Sequence, residues 1–260
     1  MKTIFDIGMH DGSDTEFYLK KGFRVVGVEA NPRLSDVVRQ RFVNEIAEGR
    51  LVVINKALAE RGGQTTAFYV RADSDGWSSI HRQAAERDGI ASNQIEIETA
   101  TMGELFAEFG VPYFLKCDVE GAESLILDQL CREFHKPQFI SVESVGDELI
   151  DLLVAASYAR FQIINQGCLR LFKPPRPARE GNYVSQRFHG RTSGLFGEEL
   201  SPKHWTGERE VRRRLALWQR LHGGHIDPVR KLALKKVGKW TRRTWLINTG
   251  WIDIHARLDG

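Results

Sequence analysis

The sequence has no run of apolar residues that approaches the length of a membrane span. Its first residues lead directly into a strand-like segment, TIFDIG, without a signal-peptide pattern. It also lacks internal repeats and low-complexity segments. Its cysteines, Cys117, Cys131 and Cys168, are odd in number and lack the close spacing of a zinc or redox motif. These absences predict a cytoplasmic protein in a reducing compartment.

Composition excludes the disordered and fibrous classes. Of the 260 residues, 42% are hydrophobic and 27% are charged, which is typical of a globular enzyme. The net charge is only +3, but residues 203–257 contain 14 Lys or Arg and 4 Asp or Glu. The sequence therefore predicts an acidic body that carries a basic tail.

Short apolar runs alternate with amphipathic stretches in the first part of the chain. The strands predicted there are TIFDIG, RVVGVEA and RLVVINKAL, separated by helices at residues 14–21 and 34–48. Strands that are apolar on both faces and joined by helices indicate a parallel sheet with helices on either side. We therefore expect an α/β fold with a doubly wound, mostly parallel sheet.

The pattern weakens in the middle of the chain and then resumes. TTAFYV is predicted as an extra strand and the polar stretch that follows it as a loop. The remaining predicted strands are IEIETA, VPYFLKCDVEG, QFISVESV, ARFQIINQ and CLRLFK, with helices at 102–109, 122–134 and 148–157. These elements predict a core of about seven strands.

A proline-rich stretch, KPPRPAREGN, marks a predicted boundary, because its prolines cannot join a central strand. We divide the chain there into a cofactor-binding domain, residues 1–173, and a C-terminal extension, residues 174–260. The extension is predicted to hold a helix at 208–221 and a basic amphipathic helix at 229–243.

A glycine turn follows the first strand. Gly8 and Gly12 bracket it, and Asp14 and Thr15 stand where the next helix should be capped. Glu29 ends the second strand, 17 residues after Gly12. In doubly wound folds an acid at that position reaches the ribose hydroxyls of a nucleoside. The sequence thus predicts a nucleoside cofactor.

Two cofactor classes compete for this turn. Sites for NAD use G-x-G-x-x-G, whereas these glycines read G-x-x-x-G, with His10 in place of the second glycine. Asp6, inside the first strand, favours a ligand with positive charge, such as the sulfonium or amino group of S-adenosylmethionine.

A second charged motif, FLKCDVEGAES, follows a predicted central strand. Lys116, Asp118 and Glu120 alternate and should share one side of the strand and its exit. Charges there are costly unless they are paired or bind a ligand. We predict an ion pair between Lys116 and Asp118, while Glu123 is explained equally well by the dipole of the following helix.

Six segments, in this order, resemble the FkbM family of S-adenosylmethionine-dependent methyltransferases: DIGMHDGSDT, VVGVEANP, NKALAE, WSSI, FLKCDVEGAE and ISVES. The resemblance covers roughly residues 3 to 165. It implies a class I methyltransferase fold with a seven-stranded sheet and O-methylation of a saccharide or natural product. It also implies these cofactor-binding residues: Asp6, Gly8, His10, Gly12, Thr15, Glu29, Ala30, Asn31, Ala57, Ser79 and Asp118.

The sequence departs from the family pattern at Thr101, Met102 and Gly103, where Leu-Asp is usual, and the N-terminal extension of many members is absent. We therefore expect the tail to contribute to acceptor recognition. The apolar stripe of its basic helix is predicted to dock on the body or on a second subunit as a homodimer. Its basic face is predicted to meet an anionic acceptor or membrane surface, and no specific nucleic acid is expected.

Methyl transfer to a hydroxyl needs a base, and three residues are candidates. Glu120 and Glu143, at the ends of two predicted strands, are the first choices, and His10 is the third. Asp118, Glu120 and Glu143 could instead hold Mg²⁺, although the resemblance favours no metal. Two other functions stay open: an oxidoreductase with a nucleotide cofactor, and a non-catalytic module that binds polyanions.

Overall fold

The computed structural model describes residues 1–143, 146–222, 236 and 251–259. The basic helix predicted at 229–243 lies outside the described residues, apart from residue 236. The chain divides into two compact units, Met1–Gln138 and Phe139–Gly260. We describe each unit in turn. The described helices include none with the length and apolar character that are needed to cross a membrane.

The first unit alternates strands and helices. Its strands are β1 (Thr3–Ile7), β2 (Arg24–Val28), β3 (Leu51–Ile54), β4 (Ala57–Leu58), β5 (Thr65–Arg71), β6 (Ser92–Ala100) and β7 (Phe114–Cys117). Its helices are α1 (Ser13–Lys20), α2 (Pro32–Arg41), α3 (Val43–Ala47), α4 (Arg82–Ala85), α5 (Met102–Phe109) and α6 (Glu123–Arg132). The helices predicted from the hydrophobic periodicity are therefore present, and the one predicted at 34–48 is split into α2 and α3.

Four strands of this unit pair in parallel, in the order β3-β2-β1-β7. Their side chains are apolar on both faces, as parallel strands covered by helices require. Two buried residues of the central strands are charged. They are Asp6 of β1 and Lys116 of β7, which lie in register. Both residues are buried, so the sheet carries a charged pair close to the carboxyl ends of its central strands.

A smaller sheet contains β4, β6 and β5. β5 and β6 pair antiparallel over the whole length of β5, which confirms TTAFYV as an extra strand. The connection between them contains α4 and two 3-10 turns, Asp75–Trp77 and Arg87–Gly89, rather than an unbroken loop. This sheet packs through a small apolar cluster of Ala57, Phe68 and Ile97.

The second unit is also built on strands and helices. Its elements are β8 (Phe139–Glu143), α7 (Asp147–Ala155), β9 (Tyr158–Asn165), α8 (Glu208–His222) and β10 (Ile252–Leu258). β10 pairs antiparallel with β8 on one side and with β9 on the other. With the four parallel strands, these three are the strands of a seven-stranded main sheet. The predicted α/β fold with a mostly parallel, seven-stranded sheet is confirmed.

The identity of the last strand was predicted incorrectly. CLRLFK forms part of a 3-10 turn, Gln166–Leu171, and not a strand. The last strand of the sheet is β10, within the extension that the sequence predicted to be helical and loop-like. CLRLFK has strand-like alternation, but the strand that pairs with β9 in the sheet is β10. The predicted domain boundary after residue 173 stays a prediction.

Candidate functional site

The glycine turn begins where β1 ends. The amides of Gly8 and Met9 both donate to the carbonyl of Val28, at 2.9 and 3.1 Å. Gly8 has a φ of +78°, and a Cβ there would lie 1.7 Å from the carbonyl oxygen of Asp118. Only glycine fits, because both its backbone conformation and its contact with the exit of β7 exclude a side chain.

Glu29 closes the turn from the end of β2. Its carboxylate accepts hydrogen bonds from the amides of His10 (2.9 Å) and Asn31 (2.8 Å). Glu29 is only 7% exposed. Burial raises the pKa of Glu29 to about 7, although the two amides and the charge of His10 act in the opposite direction. Each carboxylate oxygen keeps a second lone pair, so the side chain can still accept from a ligand.

Buried charges lie beneath the turn. The Lys116 ammonium is 3.1 Å from the carboxylate of Asp118, 3.6 Å from that of Asp6 and 3.8 Å from that of Asp14. The predicted ion pair between Lys116 and Asp118 is therefore confirmed. The Thr15 hydroxyl donates to Asp6 at 2.7 Å, and neither residue is exposed.

This group has one cation for three carboxylates. Burial alone would lower the pKa of Lys116, but the charges of Asp118, Asp6 and Asp14 outweigh it, and the pKa is raised well above its usual value. Lys116 is thus a cation that faces three carboxylates. The sequence did not identify Asp14 as a member, since an acid in the first turn of a helix is usually explained by the helix dipole. The helix begins at Ser13, so Asp14 lies inside α1 and is not its cap.

Other predicted cofactor residues lie after β2, at the start of β4 and after β5. Asn31 caps α2 by accepting from the Arg33 amide at 3.1 Å. Ala30 and Ala57 belong to the same apolar cluster of the smaller sheet. Ser79 is fully buried and accepts from the His81 amide at 3.0 Å. Their direct contact with a cofactor stays a prediction.

His10 lies between Glu29 and the segment that follows β5. It has a φ of +52°, and its Nδ1 is 3.8 Å from the carboxylate of Asp11. A Cβ on Gly76 would lie 3.7 Å from Nε2 of His10. The β5–β6 connection therefore meets the glycine turn at His10.

Acidic side chains follow β7, as the sequence predicted. Glu123 accepts from the amides of Val119 (3.2 Å) and Gly121 (2.9 Å), so it stabilises the start of α6. Glu120 forms an ion pair of 3.0 Å with Arg87 instead. Burial, and then the charge of Asp118, raise the pKa of Glu120 to about 7, while Arg87 opposes the rise. Arg87 was not identified from the sequence, because it lies in the polar β5–β6 connection, far from Glu120 along the chain.

Glu143 ends β8 in the second unit, where it is half-buried. It lies directly opposite Asp253 of β10 in the antiparallel register. Asp253 is 5% exposed and was not identified from the sequence, since its strand was not predicted. Glu143 thus has a second carboxylate as its cross-strand neighbour.

The first unit has the features of α/β proteins that bind a nucleoside at the carboxyl ends of parallel strands, with a glycine turn after the first strand and a buried acid after the second. The model of the methyltransferase FkbM domain matches residues 6–158, which is more than half of the chain. The chain therefore belongs to the FkbM methyltransferase family, and the resemblance stated from its motifs is confirmed.

Solved structures of other methyltransferases are similar at low identity. One is a precorrin-6y C5,15-methyltransferase from Geobacter metallireducens, with 14% identity and a TM-score of 0.37 over 63% of this chain and 66%, just under two thirds, of that one. Another, described as StiE O-MT, has 9% identity and a TM-score of 0.42 over 99% of this chain and 68% of that one. A third is a Haemonchus contortus phosphoethanolamine N-methyltransferase 2 in complex with S-adenosyl-L-methionine. It has 8% identity and a TM-score of 0.33 over 100% of this chain and 49% of that one. No curated protein matches the sequence.

Proposed function

We propose that this methyltransferase uses S-adenosylmethionine to methylate a hydroxyl oxygen of a saccharide or natural product. The observation that carries the proposal is the buried charge beneath the glycine turn. Three aspartate carboxylates lie within 3.8 Å of the Lys116 ammonium there. The sulfonium and ammonium groups of S-adenosylmethionine are positive and suit this environment. The pyrophosphate of NAD is negative and would be repelled, which disfavours the oxidoreductase alternative.

Glu29 supplies the second requirement of such a cofactor. Its position after β2 is the one from which a carboxylate accepts from ribose hydroxyls. Its two backbone hydrogen bonds, at 2.9 and 2.8 Å, fix its orientation before a ligand binds. Preorganisation of this kind reduces the entropy that binding would otherwise cost.

When bound, S-adenosylmethionine supplies an electrophilic methyl group on a sulfonium. The chain must hold the acceptor hydroxyl in line and take its proton as the oxygen is methylated. A base works best when its pKa is close to the working pH, and Glu120 has a pKa of about 7. Glu120 is therefore our first candidate for the base, Glu143 is the second and His10 is the third.

Calorimetry and turnover test the proposal together. S-Adenosylhomocysteine should bind to the protein and NADH should not, and the reverse result would refute the cofactor. Release of S-adenosylhomocysteine is then measured against a panel of saccharides and hydroxylated natural products. Glu120→Gln and Glu143→Gln should keep cofactor affinity, and at least one should lose about 10²–10⁴-fold in turnover. Glu108→Gln, on the exposed face of α5, is the control.

The same assay separates the alternatives. Full turnover in both variants would exclude a carboxylate base from these positions and leave His10. Inactivation by EDTA that Mg²⁺ reverses would show that Asp118, Glu120 and Glu143 act through a metal instead. A protein that binds heparin in a salt-dependent way but turns over no acceptor would favour the polyanion-binding module.

The compartment and partners belong to the same proposal. A cytoplasmic location is supported by the three cysteines, which form no disulfide. The tail contains 14 Lys or Arg and 4 Asp or Glu. This charge supports a role for the tail at an anionic acceptor, an anionic membrane surface or a second subunit. Liposome binding and sedimentation of the full chain distinguish these partners.

A further inference from the structure

The connection between β5 and β6 is tied together by one buried side chain. Arg71, at the end of β5, is 3% exposed. Its guanidinium lies 2.6 Å from the carboxylate of Asp73, donates to the carbonyl of Arg87 at 3.2 Å and stacks 4.5 Å from the ring centre of Trp77. The two ends of the connection are therefore held together, and Trp77 is fixed in place.

Arg87 stacks on the same indole ring. Its guanidinium lies 4.6 Å from the ring centre of Trp77 and 3.0 Å from the carboxylate of Glu120. The Arg87 side chain is 42% exposed, while that of Glu120 is only 15% exposed. An exposed ion pair contributes little by itself. Here the ring orients the cation and the carboxylate is largely removed from water, so the pair is held in one geometry.

The backbone of Glu120 is held by the same connection. Glu120 has a φ of +53°, which is uncommon for a residue with a side chain. A Cβ on Gly121 would lie 3.3 Å from the Cβ of Ala84, so this turn packs tightly against α4. Backbone conformations of this kind persist where the surroundings enforce them, and they cluster at functional sites.

Glu120 is surrounded by more negative than positive charge within the first unit. Asp118 precedes it and Glu123 follows it on α6, and both raise the pKa of Glu120. Arg87 is the cation that lowers it. His81 also lies nearby, since its ring would be 3.9 Å from a Cβ on Gly121.

We propose that Arg87, stacked on Trp77, is a positioning residue that holds the Glu120 carboxylate in one orientation for proton abstraction. The inference rests on the proposed function, since it assigns a purpose to the same carboxylate. It adds that the β5–β6 connection is part of the catalytic apparatus, through Glu120.

The experiment measures the titration of Glu120 with S-adenosylhomocysteine present, by ¹³C NMR of protein labelled at the glutamate carboxyl. Glu120→Gln assigns the signal. Arg87→Gln should raise the pKa of Glu120 by about 1–3, and Arg87→Lys should raise it less, because the charge is kept. Arg82→Gln is the matched control, since Arg82 lies in the same connection but pairs with Glu86.

Turnover of whichever acceptor is found provides the second readout. At pH 7 Arg87→Gln should lower kcat/KM about fivefold or more, because Glu120 loses the cation that orients it. Arg87→Lys should lose less, because the charge is kept. Unchanged titration of Glu120 in Arg87→Gln would overturn the inference. Failure of the wild-type protein to bind S-adenosylhomocysteine would instead count against the proposed function, and the same titration without ligand would still decide the role of Arg87.

Discussion

Binding of S-adenosylhomocysteine should weaken as the pH falls from 8 to 6, because Glu29 must be charged to accept hydrogen bonds from both ribose hydroxyls. Burial raises the pKa of Glu29 to about 7, so the carboxylate is mostly charged above pH 7 and mostly protonated below it. A single group with that pKa makes the apparent Kd roughly twofold higher at pH 7 and roughly elevenfold higher at pH 6 than the value for the charged form. Calorimetry at the three pH values measures this trend.

The variant Glu29→Ala gives the size of the interaction. Hydrogen bonds to a charged group contribute about 1.5–3 kcal/mol each. The loss of even one of the two ribose hydrogen bonds should raise the Kd roughly 10- to 150-fold, so Glu29→Ala should do at least this, and the pH dependence due to Glu29 should vanish. Any pH dependence left in the variant reports other groups. Melting curves of the same samples are needed, because the variant also removes the acceptor for two backbone amides.

The control variant Glu108→Ala, at an exposed position on α5, should have the Kd and the pH dependence of the wild type. The reasoning is refuted if the wild-type Kd is constant between pH 6 and pH 8 and Glu29→Ala binds as tightly as the wild type. That pair of results would show that Glu29 only closes the glycine turn.

Two further predictions concern the scaffold. Gly8→Ala should destabilise the protein more than Gly49→Ala does in urea unfolding and should abolish cofactor binding. Both positions have positive φ, which costs about 1–2 kcal/mol, but only at Gly8 would the Cβ meet another atom, 1.7 Å away; equal losses would contradict the close-packing argument. Deletion of residues 251–260 removes β10 and should expose the amides of β8 and β9 to hydrogen exchange, because both strands pair with it. Wild-type protection in that variant would show that the pairing contributes nothing to stability.

Elements with local signals were predicted from the sequence. The helix predicted at 102–109 has these bounds in the structure, because Thr101 and Glu104 cap each other's backbone amides at 3.2 and 2.9 Å. The departure from the family pattern at Thr101 therefore has a structural role. The first two strands were predicted because their apolar runs end at the glycine turn and at Glu29. Sequence reasoning also paired Lys116 with Asp118, since residues two apart on a strand share a face.

Features that depend on distant contacts were not predicted. β10 has a polar residue at every second position, Asp253, His255 and Arg257, and such a pattern is typical of a half-exposed strand. In the structure β10 lies between β8 and β9, and Asp253 and His255 are buried. The partnership of Arg87 with Glu120 likewise joins residues more than 30 positions apart. Neither the position of β10 nor the Arg87–Glu120 pair can be predicted from local hydrophobic periodicity.

The position of β10 has a consequence for synthesis of the protein on the ribosome. Translation proceeds at about 5–20 residues per second, so several seconds separate the emergence of β9 from that of β10. During this interval β8 and β9 lack the strand that pairs with both, and their open edges are available to other chains. The first unit, by contrast, has all its paired strands before residue 118. We expect a nascent chain that folds its first unit early and needs protection from aggregation until β10 is made.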